Sequence, residues 1–483
     1  MTNDTTTYAA PPLIDVGVGE RSPWWRRAPV LSALAALLAF TLVVLTRSAS
    51  LLEPDDFAYR ASIVALSKGE ILLSNAHYLA LKASLSTSGG PGIMQWHHLS
   101  SGYWISEKNP GYPFLAVVFY ALGLLRLTPL FFGALACLSL FVAMRRWVGE
   151  RAGALAVWLY CFSGATLTFA WRATMPSFID ASLVATGFAL LVWTLLASEH
   201  TARRRRGVGL AAFVALELAV VVRYTNLLEL AVAVAAVVLL ARRAALEPRT
   251  LAVWGTSVLV TGAVVLGFDQ WAYGSATSTG YSSGEISFSL GSVWANLKGM
   301  PAQLTDAMPL WLLAGAALVV LLVRHLRRRS TSAHAGVDDA RIGAMLGAGW
   351  LGLWGLYLCY TWTASQLHGG PGGHTITVHV IRFYLPALGL LAMLGAWLVA
   401  RAPRWLGVLV TSLLVVAALF SFTAMTSTSG TGANAGPGGA GSAAGPSIGG
   451  LTGQGSARAG RPSGTGQGPG LGTRPAIGAA PSP

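Results

Sequence analysis

From residue 28 to residue 423 the chain passes through one continuous apolar run after another. Many reach roughly 18 residues, the length that carries a helix across a bilayer. The runs fall at 28–46, 128–144, 152–171, 177–197, 207–222, 226–241, 251–268, 309–323, 342–362, 383–400 and 404–423. They do not alternate apolar with polar residues, which excludes a membrane β-barrel. Only 11% of the residues are charged, where a soluble domain carries about a quarter. The pattern predicts an all-α polytopic membrane protein with about eleven transmembrane helices.

Charge placement gives the orientation. The net charge of +14 could suit nucleic acid, but the basic residues sit in short turns between spans, where the positive-inside rule puts them. Membrane lipids, not nucleic acid, are the expected surroundings. The apolar stretch 112–125 is too short to cross comfortably and is read as a helix lying at the outer surface. On that reading 20 of the 33 Lys and Arg residues lie on the side of the N-terminus, ten on the other side and three in the tail. Counting 112–125 as a span would move Arg145, Arg146 and Arg151, and Arg203–Arg206 with them, to the side opposite the N-terminal basic residues. The expectation is a multi-pass plasma-membrane protein with a cytoplasmic N-terminus. Its first loop (47–127), the turn from Trp171 to Ser177, and the loops 269–308 and 364–382 are then extracytoplasmic.

The chain divides into a leader at 1–27, a transmembrane domain at 28–425 and a tail at 426–483. The leader ends in Trp24-Trp25-Arg26-Arg27, an interfacial anchor, and the first span follows without a small-residue cleavage site, so it is expected to be retained. The tail is Gly, Ala, Ser, Thr and Pro with almost no large apolar residue. It cannot offset its ordering entropy by burial and is expected to be disordered. Cys137, Cys161 and Cys359 fall inside apolar runs and read as small core residues.

Polar groups with chemical potential gather in the first loop. Asp55 and Asp56 open it, directly after the first span. A carboxylate there can take a proton from an acceptor hydroxyl, orient that hydroxyl or bind a cation. The same pair also suits the first turn of a helix beginning at Pro54, where negative charge meets the positive end of the dipole. Lys108 lies in EKNPGYP, at a turn leading into the surface helix. It could stabilise charge on a departing phosphate or snorkel beside Glu107. His97, His98, His368, His374 and His379 match no metal-ligand spacing. Asp269, Glu285 and Asp306 have nothing to single them out. Glu217 and Glu229 lie within apolar spans, where carboxylates are costly and often functional, with Arg223 available as an ion-pair partner.

The motif Pro54-Asp55-Asp56-x-x-Tyr59 after a first span, then Glu107-Lys108-x-Pro110 and a surface helix, resembles the C-type (GT-C) membrane glycosyltransferases. The aminoarabinose-lipid A transferases and protein O-mannosyltransferases are the most similar. Weaker likeness continues at Arg223-Tyr224-Thr225-Asn226 and Arg382-Phe383-Tyr384-Leu385-Pro386. The resemblance implies a polyprenyl-phosphate-linked sugar as donor, an extracytoplasmic glycan, lipid or protein as acceptor, and inversion at the anomeric carbon. It assigns Asp55 as catalytic base with Asp56 beside it. Lys108, Arg172 and Arg382 would bind the donor phosphate, and Tyr59, Arg60, Tyr112, Asp180 and Arg223 the substrates. No cofactor beyond the donor is implied, and a divalent metal stays open. This chain departs from the family in having Asp at the second acid, commonly Glu. It has Met175-Pro176 where an acid often precedes the proline, with Asp180 one helical turn further on. It also has the low-complexity tail in place of a soluble domain. The rival readings are a transporter or flippase of lipid-linked saccharide, with Glu217 and Glu229 as its best support, and an inactive scaffold of the same fold.

Overall fold

The computed structural model describes residues 28–47, 54–86, 95–198, 200–281, 286–328, 337–368 and 378–431. The expected leader at 1–27 and all of the expected tail beyond Thr431 lie outside them. After α1 (Ala28–Leu45), the first loop holds α2 (Pro54–Ser67), α3 (Asn75–Ser86), a hairpin of β1 (Trp96–His98) and β2 (Trp104–Ser106), and α4 (Gly111–Ala121). The strands pair antiparallel, with Trp96 opposite Ser106 and His98 opposite Trp104. Ala61, Ala65, Leu73, Tyr78, Leu81 and Trp96 close a small core of their own there. The Tyr78 and Trp104 rings stack at 3.9 Å. This loop is therefore a packed element, able to hold side chains in fixed places.

The remaining helices are α5 (Thr128–Trp147), α6 (Glu150–Cys161), α7 (Gly164–Ala170), α8 (Ser177–Leu196), α9 (Ala202–Val222), α10 (Leu227–Leu240), α11 (Pro248–Tyr273), α12 (Val293–Ala307), α13 (Leu310–Arg328), α14 (Asp339–Leu358), α15 (Thr361–His368), α16 (Val378–Ile381), α17 (Leu388–Val399) and α18 (Arg404–Thr431). α8 is the axis of the bundle and is buried along nearly its whole length. It is apolar on every side, and its Ala, Ser, Thr and Gly residues let neighbouring backbones approach closely. α5, α9 and α17 pack around it. α11 lies at the other extreme. Only Thr250, Trp254, Asp269 and Ala272 of its 26 residues are buried, which leaves an apolar surface of the kind a bilayer covers. Glu217 of α9 grips it, accepting from Ser257 at 2.5 Å and Thr261 at 2.9 Å.

Among the described residues six helices are long and apolar enough to cross a membrane: Ala28–Leu45, Leu125–Trp147, Ser177–Leu196, Pro248–Tyr273, Leu310–Arg327 and Arg404–Thr426. The single helix expected over 152–171 is instead broken. α6 and α7 meet at 62°, and the pair makes a seventh span if taken as one. Phe162 leaves helical geometry and Ser163 is extended, while the Thr166 hydroxyl donates to the carbonyl of Tyr160 at 2.8 Å. A Ser-Gly pair is a common place for such a kink. The expected runs at 226–241 and 383–400 form shorter apolar helices that each begin with a 3-10 turn, Tyr224–Asn226 and Leu385–Ala387. The run at 342–362 stops at Leu358, and a new helix starts at Thr361. α18 continues past Thr426, where the tail was expected to begin.

Candidate active site

Pro54 suits the first helical position because it has no amide hydrogen to leave unpaired, and Asp55 and Asp56 occupy the first turn of α2. Successive residues on a helix point about 100° apart, so the two carboxylates go to different partners. Asp55 lies between two cations, with Lys108 Nζ 3.0 Å from one oxygen and Arg382 2.6 Å from the other. Its side chain keeps 13% exposure. Asp56 is fully buried. It takes the Arg172 guanidinium at 2.6 Å and the Thr174 hydroxyl at 2.8 Å. The acid pair is thus one open carboxylate and one sealed carboxylate.

Neighbouring segments hold Lys108 in place. Its ammonium also donates to the Tyr281 hydroxyl at 3.2 Å and sits 5.0 Å from that ring. Tyr273 donates to the carbonyl of Ser106 at 3.1 Å. Gly280 lies so close to Glu107 that a Cβ there would meet its backbone at 2.5 Å. The alternative reading, Lys108 paired with Glu107, does not form. His97 lies 3.9 Å from Glu107, while Lys108 serves Asp55. Gly111, at the start of α4, touches the backbone of Val221 and Val222, where a Cβ would sit 2.5 Å away. This contact sets the first loop against the end of α9.

Burial alone would raise the Asp55 pKa, but Arg382 and Lys108 outweigh it and hold the carboxyl well below the usual carboxylate range. Hydrogen bonds from Lys108 and Gln95 act in the same direction. Because the folded value is depressed, the stability that ionised Asp55 contributes is complete above the unfolded value of 3.8. It is lost only as pH falls through the folded value. The melting-temperature difference between wild type and Asp55→Asn should therefore stay constant from about pH 7 to about pH 5 and shrink only below about pH 4. A difference already shrinking above about pH 5 would mean a raised pKa and would contradict the paired geometry. Burial pushes the Tyr281 phenol up, and Asp55 adds to the shift, so Tyr281 stays protonated.

The other residues singled out in the sequence divide into two groups. Tyr59 is buried at the site, with its ring edge-on to Tyr112 at 5.6 Å, and burial raises its pKa. Tyr112 donates its hydroxyl to the carbonyl of Ala173, tying α4 to the turn that carries Arg172. Arg223 forms a second buried pair, 3.2 Å from Asp180, and donates to the backbone carbonyl of Arg382 at 3.2 Å. Asn226 also donates to Asp180. Arg60 instead points to the Tyr120 ring, 4.6 Å away. Arg223 therefore does not neutralise Glu217 or Glu229. Glu229 is fully buried, with no hydrogen-bond partner among the described residues.

Sequence reasoning missed Tyr281, Thr174 and Gln95. Thr174 follows Arg172 in RATMP, the nearest thing to a signal. Gln95 is one of two non-glycine residues with positive φ among the described residues, at 70°. Such strain tends to mark functional sites. Among the described residues no three His, Cys, Asp or Glu side chains gather as a metal site. Asp269 accepts from Tyr224 at 2.9 Å and Asp306 is exposed. Glu285 and His374 lie outside the described residues.

No family model matches the chain, and no curated protein matches it. Among solved structures, ArnT from Cupriavidus metallidurans in the apo state aligns with a TM-score of 0.51 at 17% identity, over 81% of this chain and 63% of that one. ArnT bound to undecaprenyl phosphate gives 0.47 at 17% identity, over 77% and 60%. The Archaeoglobus fulgidus oligosaccharyltransferase in the apo form gives 0.45 at 12% identity, over 84% and 56%. The chain spans less than two thirds of the length of each of these proteins. It shares the fold of ArnT.

Proposed function

We propose that this protein moves a sugar from a polyprenyl-phosphate donor to an acceptor hydroxyl at the outer face of the plasma membrane. The observation that carries the reading is a partly open carboxylate, Asp55, held between Lys108 and Arg382 on a GT-C fold. In the resting site two cations make Asp55 a weak base. An arriving phosphate competes for both cations, and each one drawn away raises the basicity of Asp55. The acceptor hydroxyl then gives its proton to Asp55 and attacks the anomeric carbon. The bond from that carbon to the phosphate oxygen breaks on the opposite face, which inverts configuration. Lys108 and Arg382 stabilise the departing phosphate. Asp56, Arg172 and Thr174 fix the start of α2, and Arg223 with Asp180 steadies the backbone at Arg382. A divalent metal at Asp55 would have to displace one of its two cations.

The same reading takes the chain across the membrane eleven times, with α6 and α7 as one bent span and α4 at the outer surface. A cysteine at position 100 should then react with an impermeant maleimide added to intact cells, and one at position 204 should not; the reverse would overturn the topology. For the activity, membranes with and without the protein are given radiolabelled polyprenyl-phosphate sugars. Protein-dependent loss of label from one lipid into a non-lipid or glycolipid product is expected. Identical label distribution in both membranes, for every donor tried, would sink the proposal.

Glu229, buried without a hydrogen-bond partner among the described residues, is the one observation favouring a transporter of lipid-linked saccharide. Transport would deliver the labelled lipid intact across the bilayer, with its sugar–phosphate bond uncut.

A further inference from the structure

At the end of α9 far from Arg223, two turns bring a dense positive charge to one surface. The segment 199–206, which leads into α9, and the segment 241–250, between α10 and α11, together hold seven arginines against two acids, Glu199 and Glu247. Glu199 lies outside the described residues. Arg205 joins the two segments. It is buried, and donates to the carbonyl of Ala245 at 3.2 Å and to that of Ala244. Arg206 adds bonds to Thr250 at 3.4 Å and Glu247 at 3.2 Å, and Trp254 donates to the carbonyl of Arg206 at 3.0 Å. The two segments therefore form one surface.

The other five arginines, Arg203, Arg204, Arg242, Arg243 and Arg249, are exposed. None has a carboxylate partner among the described residues. The positive-inside rule explains their side of the membrane but not their lack of partners. At the other turns on that side Arg145 lies 3.5 Å from Glu150, Arg151 donates to the carbonyl of Ala402 at 3.0 Å, and Arg401 lies 2.8 Å from Asp339. The turn that carries Arg242 and Arg243 is also held in a costly shape. Ala245 has φ of +48° at the end of α10, a place that normally takes glycine. Such a conformation persists only where the surroundings impose it, and the bonds from Arg205 to the carbonyls of Ala244 and Ala245 do so. Apolar surface begins directly beside the charge. α10 and α11 both pack on α9, and they expose Val238 and Leu239 on α10 and Leu259 and Val260 on α11.

We propose that Arg203, Arg204, Arg242, Arg243 and Arg249 form a binding site for the phosphate headgroup of an anionic phospholipid, whose acyl chains lie against α10 and α11. Each guanidinium offers paired donors that match phosphate oxygens. A lipid suits the site better than a soluble anion, because the cations stand where the apolar helix surface starts. α9 carries the chain 21 residues from this patch to Val222, about 30 Å. The site is therefore separate from Asp55 and does not rest on the transfer reaction. In the topology proposed above it faces the cytoplasmic leaflet.

The full chain in a neutral detergent is titrated with dioleoyl phosphatidylglycerol and with dioleoyl phosphatidylcholine, and bound lipid is counted by native mass spectrometry. Phosphatidylglycerol should bind at least about ten-fold more tightly than phosphatidylcholine. Inorganic phosphate at equal concentration should not displace it. Arg203→Gln with Arg204→Gln, and Arg242→Gln with Arg243→Gln, should each weaken phosphatidylglycerol binding by about ten-fold. Affinity for phosphatidylcholine should stay unchanged in both, which a folding defect would not allow. Arg327→Gln with Arg404→Gln removes two exposed arginines outside the patch and should weaken phosphatidylglycerol binding by less than about two-fold. The proposal is overturned if phosphatidylglycerol binds no better than phosphatidylcholine, or if this last pair has as large an effect as the patch pairs. Displacement of the lipid by an equal concentration of inorganic phosphate would make this a site for soluble anions and would equally overturn it.

Discussion

Replacing Asp55 by Asn is expected to reduce sugar transfer by about 10²–10⁴-fold, the range over which positioned acid–base groups act. The substitution keeps shape and hydrogen-bonding capacity but removes the basic site. It also leaves Lys108 and Arg382 without their anion. Both cations then remain available for the donor phosphate, so KM for the donor should fall while kcat drops. That split distinguishes loss of a base from loss of the fold, which would lower the amount of active protein at unchanged KM. A steady-state assay in proteoliposomes reads both parameters. Transfer by the Asn variant within a factor of about two of wild type would remove Asp55 from the role of base.

The other large effect lies one residue away and falls on stability. Asp56 is 0% exposed and Arg172 is 3% exposed, and each binds the other inside the protein. Removing one partner leaves an uncompensated buried charge, which costs about 3–5 kcal/mol. Asp56→Ala and Arg172→Ala should therefore lower the yield of folded protein and its melting temperature. Replacing both partners together, as Asp56→Leu with Arg172→Met, removes both charges and should recover much of the loss. Thermal unfolding of the three variants in one detergent tests this. A double variant no more stable than the worse single one would show that the pair is not the source of the cost. The geometry also changes the expected division of labour. Arg172 was placed with the phosphate-binding cations, but its bond to a sealed carboxylate fits it to anchoring α2, leaving Lys108 and Arg382 on the open side.

The candidate site could be sought at Asp55 and Asp56 because two adjacent carboxylates after a first span are unusual in so apolar a chain. The Lys-x-Pro turn was readable for a similar reason, since a charge beside a helix start stands out locally. Pairing was not readable. Asp55 meets Arg382 across 327 positions and Asp56 meets Arg172 across 116, and only tertiary packing brings them together. The local alternative, Lys108 with its neighbour Glu107, looked equally plausible in the sequence and does not occur. The break between Cys161 and Gly164 was hidden because an apolar average over about 18 residues is blind to one Ser-Gly step. Gln95 and Tyr281 lie in polar, aperiodic stretches, where nothing in the pattern marks one side chain above its neighbours. Glu229 was visible as an intramembrane acid, but its lack of a hydrogen-bond partner among the described residues follows only from packing, with Gly349 of α14 so close that a Cβ there would meet its carboxylate at 2.6 Å.

The most direct measurement is the lipid content of cells that lack the protein and of cells that carry it only as Asp55→Asn. If the carboxylate between Lys108 and Arg382 discharges a lipid-linked sugar, both strains accumulate the same polyprenyl-phosphate sugar relative to wild type. If the deletion strain accumulates it and the Asn strain does not, or if neither does, the carboxylate is not discharging that lipid and the account fails.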